Sequence, residues 1–161
     1  RSTLFPYTTL FRSPYSGSLD KRGDFALVLL NDADSFINNE QVEIFNNQVK
    51  DVLKDDQLAL KVTVRGFQSK TNTNAFILDV VENKQAIAYN FGNTVVFDRV
   101  ILVGNRPDKL TCRPVSDHGD SGGAVYDSNS NLIGIIVGKN KRFSLVLPVQ
   151  KFISDQKLQI V

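Results

Sequence analysis

The 161-residue chain is poor in several residue types, with one cysteine, one histidine and neither methionine nor tryptophan. A single cysteine cannot form an internal disulfide, and Cys112 with His118 supplies only two of the four ligands of a usual structural zinc site. No apolar run approaches the roughly 20 residues of a membrane-spanning helix. These shortages exclude disulfide-stapled domains, zinc fingers and helical membrane proteins, so we expect no membrane partner.

Charge of one sign is also lacking, because 19 Lys and Arg residues face 17 Asp and Glu residues. The basic residues are scattered and form no stripe that could follow a phosphate backbone, so we expect no nucleic-acid partner. Hydrophobic residues make up 42% of the chain. That fraction is sufficient for one packed domain of ordinary size.

The first thirteen residues differ from the rest of the chain. Thr3 to Ser13 reads TLFPYTTLFRS, which is the translation of a widely used short-read sequencing adapter. A secretory signal is disfavoured, since Pro6 and the paired threonines interrupt the apolar stretch. We therefore expect residues 1–13 to lie outside the fold, and residues 14–161 then carry 17 basic and 17 acidic side chains. The sequence also contains no methionine, which indicates that it is a processed product or that it lacks its start.

The remaining chain consists mostly of short apolar or alternating segments. Phe25 to Leu30 is typical of a buried strand, and Gln41 to Lys54 has the spacing of a short helix or a covered connector. Val149 to Leu158 predicts a closing helix. Strands are predicted at Leu60–Arg65, Ala75–Val81, Ala86–Phe91, Thr94–Val103, Gly123–Tyr126, Leu132–Val137 and Phe143–Val149. This pattern predicts an all-β fold, an antiparallel barrel or sandwich.

A serine flanked by glycines lies in the segment HGDSGGAV, residues 118–125. In acyl transfer the nucleophile lies on a tight turn whose backbone N–H groups converge on the developing oxyanion, and glycines permit that turn. Ser121 is therefore a candidate nucleophile, and the N–H groups of Gly119 and Ser121 form a candidate oxyanion hole. Asp120 and Gly122 would support the turn, with Asp120 buried beside a cationic or hydrogen-bonding partner. The alternative is a plain hairpin loop, because all these residue types favour turns.

The segment GDSGGAVYDSNSNLIGIIVG, residues 119–138, resembles the nucleophile segment of the trypsin-like, chymotrypsin-fold serine peptidases over its whole length. In that family a strand, a turn and a second apolar strand ending in glycine follow the motif, as they do here. A second match is Asp24 to Val28, since the family places its triad aspartate at the head of such a strand. Asp24 precedes Ser121 by 97 residues, against about 93 in the family's type member. The resemblance implies catalytic roles for Asp24 and Ser121.

The resemblance also implies the domain organisation. Residues 59–161 match the second β-barrel with its terminal helix, and residues 14–58 match a remnant of the first barrel and a connector. The family's histidine lies several dozen residues before its aspartate, where this sequence has only residues 14–23 after the adapter-like segment. Residues 14–161 are thus expected to be a partial peptidase domain without its base. His118 matches a variable position near the substrate entrance, which implies a surface or subsite residue.

Further residues follow from the resemblance by position. Val115 would lie at the floor of the primary specificity pocket, with Gly138 and Ser144 on its walls. No acidic residue occupies these positions, which implies an apolar or small substrate side chain. The segment Val62 to Val80 matches weakly, because its Gly-containing turn, residues 66–71, departs from the usual pattern. The lack of disulfide-forming cysteines fits a reducing, intracellular compartment or a small microbial-type domain.

The sequence therefore predicts a serine endopeptidase domain that hydrolyses peptide or protein substrates, with no cofactor or metal. Without its histidine, this chain by itself is expected to be inactive. Two alternatives stay open: a non-catalytic interaction domain on the same fold, a pseudoprotease, and an unrelated β-sandwich binding module with a glycine-rich loop. The sequence leaves the oligomeric state open.

Overall fold

The computed structural model describes residues 11–20, 23–30, 49–52, 59–88 and 94–155, the first two ranges as backbone only. Within these ranges the chain forms eight strands and one short helix. Their bounds are β1 Phe11–Asp20, β2 Gly23–Leu30, β3 Lys61–Gly66, β4 Lys70–Ala88, β5 Thr94–Gly104, β6 Ala124–Tyr126, β7 Leu132–Lys139, β8 Ser144–Pro148 and α1 Gln150–Asp155.

Strands β3 to β8 form a closed barrel in the order β3-β4-β5-β8-β7-β6. All six neighbouring pairs in the ring are antiparallel. The predicted all-β class and the antiparallel barrel are therefore confirmed. Ring closure also distinguishes this arrangement from a sandwich of two separate sheets.

Strand β4 differs from the sequence-based expectation, which divided it into two strands. It runs for 19 residues without a turn, although the polar residues Glu82 to Gln85 interrupt its apolar pattern. The strand passes through this segment as a bulge, with a shift of its register against β5 between Glu82 and Gln85. Asn83 absorbs the irregularity with a φ of 51°, because asparagine tolerates the left-handed region better than most residues.

The interior of the barrel has an aliphatic central cluster. Strands β3 and β5 each contribute two side chains that are two residues apart, as the twofold periodicity of strands requires. Phe97 is the largest fully buried side chain. Helix α1 covers one side of the barrel, where Phe152 and Ile153 pack against a second apolar cluster. The central cluster contains Val62, Val64, Ala75, Ile77, Val80, Ile101, Val103, Val125, Ile133, Ile136 and Val146, together with Val52 and Val115.

Two predicted segments are only partly described. The closing helix predicted over Val149–Leu158 is present from Gln150 to Asp155, and residues 156–158 lie outside the described ranges. Of the predicted helix or connector over Gln41–Lys54, residues 49–52 are described. They form no helix there: Val49 makes an isolated parallel bridge to Leu132.

Strands β1 and β2 form a separate two-stranded antiparallel sheet. Strand β2 contains the predicted apolar run, whereas β1 was not predicted, because its sequence FRSPYSGSLD has little apolar character. β1 begins at Phe11, within the segment expected to lie outside the fold. Its register is irregular as far as Ser16, with shifts at Pro14. That residues 14–58 are a first-barrel remnant stays a prediction.

The packing of β7 against β8 generates a stability prediction. A Cβ atom at Gly134 would lie 2.5 Å from the carbonyl oxygen of Leu147 and 2.6 Å from Cγ1 of Val146. We therefore expect Gly134→Ala to lower the free energy of unfolding by about 1–3 kcal/mol, the usual cost of overpacking, as measured by urea denaturation. Gly138→Ala, in the same strand, is the control, because its Cβ would meet nothing within 4 Å. Equal losses in the two variants would contradict this account.

Candidate active site

Asp120 is fully buried, and its carboxylate accepts four hydrogen bonds. Oδ1 accepts from the N–H groups of Gln68 at 2.7 Å and Ser69 at 2.9 Å. Oδ2 accepts from the N–H group of Asp117 at 2.6 Å and from the Ser69 hydroxyl. Burial raises the pKa of Asp120, but these hydrogen bonds, led by that of the Ser69 hydroxyl, outweigh it and lower the pKa below its ordinary value. The burial and the hydrogen-bonding partner expected for Asp120 are confirmed.

Two glycines allow this close approach of two turns. We call residues 66–70 the support turn and residues 117–123 the nucleophile turn. A Cβ atom at Gly66 would lie 2.4 Å from Oδ1 of Asp120, and one at Gly123 would lie 2.5 Å from the carbonyl oxygen of Arg65. Side chains at either position would push the two turns apart, so the site depends on glycine at both.

Ser121 is exposed. Gly119, two residues before it, and Gly122, directly after it, both have left-handed backbone conformations. Gly119 has a φ of 95° and Gly122 a φ of 88°, values that residues with a Cβ rarely adopt. The Gly122 N–H group donates to the carbonyl oxygen of Ile136 at 2.8 Å, which anchors the turn to β7. Within the described part of the chain, the N–H groups of Gly119 and Ser121 donate no hydrogen bond.

A cavity of about 530 Å³ opens beside Ser121. Its apolar floor includes the buried residues Ile87 and Leu145, and also Ile136, whose side chain belongs to the central cluster of the barrel. The polar lining residues are exposed or half-buried and form its rim. The remaining lining residues are Gln85, Ala86, Ala88, Asp117, His118, Gly119, Val137, Gly138, Lys139 and Asn140.

The rim of the cavity carries a neutralised charge pair. Nζ of Lys139 donates to Oδ1 of Asp117 at 2.7 Å, and the His118 N–H group donates to the same oxygen at 2.7 Å. The hydrogen bond from Lys139, followed by that from His118, lowers the pKa of Asp117. The exposed His118 side chain makes no hydrogen bond to Ser121 within the described ranges, as expected for a rim residue.

The residues assigned to the specificity pocket fall into two groups. Gly138 lines the cavity. Val115 and Ser144 are buried, and neither is among the lining residues. The Ser144 hydroxyl accepts hydrogen bonds from the N–H groups of Val115 and Ser116, both at 3.0 Å, and lies 2.7 Å from the Ser116 hydroxyl. It therefore joins β8 to the loop before the nucleophile turn.

Sequence reasoning missed two parts of the site. The end of β4, residues 85–88, lines the cavity, but nothing local to that segment indicates a neighbour more than thirty residues away. Ser69 and Gln68 bind Asp120, and the signal for them was the requirement that a buried carboxylate be paired. That requirement predicts a partner without naming it.

Asp24 is the second residue of β2 and pairs with Leu19 of β1. The prediction that it stands at the head of a strand is confirmed. Its side chain lies outside the described part of the structure, so its proximity to Ser121 stays a prediction. Among the described residues, no group of His, Cys, Asp and Glu side chains could hold a metal ion, and no helix there has the length and apolarity to cross a membrane.

The burial of Asp120 generates a prediction about stability and pH. Asp120→Asn replaces one acceptor oxygen with an N–H donor and leaves buried donors unpaired, so we expect a loss of about 3 kcal/mol at neutral pH. Because the folded-state pKa lies below 3.8, the wild-type contribution is complete above about pH 4 and is lost as the pH falls through that pKa. The variant should lack this part of the acid sensitivity in urea denaturation.

Asp155→Asn is the control, since Asp155 is exposed on α1 and bonds only Lys151 among the described residues. A surface pair of this kind contributes less than about 1 kcal/mol. If both variants lost the same stability at neutral pH, the structural role of Asp120 would be refuted.

No family model and no curated protein match the chain. Among solved structures, it is similar to a glutamic acid specific serine protease that utilises a histidine triad in substrate binding. That likeness has a TM-score of 0.57 and 16% identity and covers 91% of this chain and 72% of the other. The MamO protease domain from Magnetospirillum magneticum gives a TM-score of 0.48 at 13% identity, covering 84% of this chain and 62% of its own. The chain has the chymotrypsin-like, all-β fold.

Proposed function

We propose that this chain is part of a serine endopeptidase domain in which Ser121 is the nucleophile. The observation that carries the proposal is an exposed serine on a turn held by a fully buried aspartate. In that turn the N–H groups of Gly119 and Ser121 donate no hydrogen bond to the described residues. The cavity beside Ser121 supports the same function, because it provides room for a substrate side chain. The likeness in fold to a serine protease is consistent with it.

In the proposed reaction, Oγ of Ser121 attacks the carbonyl carbon of a peptide bond and gives its proton to a base. The oxyanion that forms accepts hydrogen bonds from the N–H groups of Gly119 and Ser121. The C–N bond then breaks as the base returns the proton to the leaving amine, and water hydrolyses the acyl-enzyme in the same way. Asp24 would orient the base.

The base is not assigned to this chain. His118 is its one histidine and makes no hydrogen bond to Ser121 within the described ranges. We propose that a histidine outside this sequence completes the site and that the chain by itself is inactive. The second candidate function is a non-catalytic interaction domain on the same fold, which would use the cavity for binding alone.

The apolar floor of the cavity favours substrates with an apolar side chain on the residue before the scissile bond. Ile87 and Leu145, which line the cavity, can contact such a side chain and replace the water around it. The charge of Lys139 is neutralised by Asp117. The similar protease is specific for glutamic acid and uses a histidine triad. This chain contains one histidine, too few for a triad of histidines.

A serine-directed fluorophosphonate probe tests the nucleophile. We expect strong labelling of a longer protein that includes the upstream histidine. The rate of labelling of this chain alone should be lower by a factor of about 10⁴ or more, because a serine hydroxyl needs a base. Ser121→Ala should abolish labelling. Ser128→Ala, at an exposed loop serine, should leave it unchanged.

Two outcomes would contradict the proposal in different ways. Strong labelling of this chain alone, lost in His118→Ala, would make His118 the base. Absence of labelling in the longer protein would support the non-catalytic alternative.

A panel of peptide substrates tests the cavity in the longer, active protein. We expect leucine before the scissile bond to be preferred over glutamate and lysine by about 100-fold in kcat/KM, from the burial of one aliphatic side chain. Ile87→Ala should lower kcat/KM for the leucine substrate and favour phenylalanine, because it deepens the floor. Val96→Ala, at an exposed position of β5, is the control. A preference for glutamate or lysine would refute the apolar floor as the determinant.

A further inference from the structure

We propose that Ser69 is a positioning residue for the oxyanion-binding turn, acting through Asp120 on the Gly119–Asp120 peptide and on the N–H group of Ser121. This inference rests on the proposed function, because it concerns the same site. The support turn would thereby help to orient the candidate oxyanion hole.

Ser69 supplies two of the four hydrogen bonds to the buried carboxylate, one to each oxygen. Its N–H group donates to Oδ1 and its hydroxyl to Oδ2. Gln68 completes the pairing of Oδ1, and Asp117 completes that of Oδ2. Each oxygen thus has two donors, which fix both the position and the rotation of the carboxylate plane.

The backbone of Asp120 transmits this orientation to its neighbours. Its carbonyl oxygen accepts a hydrogen bond from the Gly123 N–H group at 2.9 Å. That carbonyl and the Ser121 N–H group belong to one planar trans peptide, in which C=O and N–H point in opposite directions. Directing the carbonyl towards Gly123 therefore directs the Ser121 N–H group away from it.

The preceding peptide is fixed in the same way. The Asp120 N–H group donates to the carbonyl oxygen of Asp117 at 3.1 Å, which sets the peptide plane that joins Gly119 to Asp120. Gln68 packs beside Gly119, since a Cβ built there would lie 3.6 Å from Cβ of Gln68. The Gly119–Asp120 peptide carries the carbonyl of Gly119, and the next peptide carries the N–H group of Ser121. The support turn therefore acts on both residues through Asp120, and Gln68 lies beside Gly119.

The four donors to Asp120 are all uncharged, so no single cation dominates its binding. The Ser69 hydroxyl is the one side-chain donor among them, and the other three are backbone groups that substitution cannot remove. Loss of the hydroxyl would leave Oδ2 with the Asp117 N–H group alone. The carboxylate could then rotate about the Cβ–Cγ bond, which would weaken its hydrogen bond from the Asp117 N–H group. The Asp120 N–H group donates to the carbonyl oxygen of that same Asp117, so the restraint on the Asp120 peptides would be weakened.

NMR of the full 161-residue chain tests the proposal without requiring catalysis. In Ser69→Ala we expect shifted amide resonances of Gly119 and Ser121, and exchange of the Gln68 N–H hydrogen about tenfold faster or more, the change expected from losing a hydrogen bond to a charged group. Ser69→Thr keeps the hydroxyl and should restore both. Thr111→Val is the control, because it removes a hydroxyl-to-carboxylate hydrogen bond of 2.7 Å in a different, exposed turn.

A pH titration separates positioning from general stability. In the wild type, protonation of Asp120 should shift Gly119, Ser121 and the donor amides of Gln68 and Asp117 with one common midpoint. In Ser69→Ala this midpoint should rise by about one pH unit, because a donor that stabilises the charged form is lost. Thr111→Val should leave the midpoint unchanged.

Each outcome decides the question. Unchanged Gly119 and Ser121 resonances in a folded Ser69→Ala variant would overturn the proposal. If that variant does not fold, the wild-type titration decides, and resonances of Gly119 and Ser121 that do not follow Gln68 and Asp117 would overturn it. If the turn responds as expected but a fluorophosphonate does not label Ser121 in the longer protein, Ser69 keeps its role and the proposed function fails.

Discussion

The buried carboxylate of Asp120 is the constraint on which the rest of the site depends. A charged group without water must be paired by hydrogen bonds, or it costs several kcal/mol of folding free energy. Here the pairing requires the support turn to approach within contact distance, which requires glycine at Gly66 and Gly123. The same approach fixes the peptides on both sides of Asp120. Burial of one charge is thereby converted into a defined direction for the backbone N–H group of Ser121.

The barrel seam makes that approach possible. Strand β3 pairs with β6 through Thr63 to Tyr126, Val64 to Val125 and Arg65 to Ala124, and the guanidinium of Arg65 lies 5.3 Å from the centre of the Tyr126 ring. The support turn follows β3, and the nucleophile turn precedes β6. Closing the barrel therefore brings the two turns together, although about fifty residues separate them. The strand pairs that close the barrel therefore also bring Asp120 to its hydrogen-bond donors.

Part of the candidate site could be predicted from the residues near Ser121 in the sequence. The glycines around Ser121 indicated a tight turn with converging N–H groups, and Asp120 had to be buried and paired. The partners of Asp120 could not be predicted, because Ser69 lies in the segment that least resembles the family and only the barrel seam brings it near. The continuity of β4 was missed because the polar bulge at Glu82–Gln85 reads as a turn. Val115 and Ser144 were assigned by position alone, and neither lines the cavity.

Strand β4 connects two parts of the site in one element. Its first residue, Lys70, ends the support turn, and its last four residues line the cavity beside Ser121. Because successive side chains of a strand point to opposite faces, inserting or deleting one residue reverses every side chain beyond that point. Changes of chain length during evolution are therefore best accommodated at the Glu82–Gln85 bulge, where the register is already shifted. There, a length change would alter the cavity wall while the support for Asp120 stays intact.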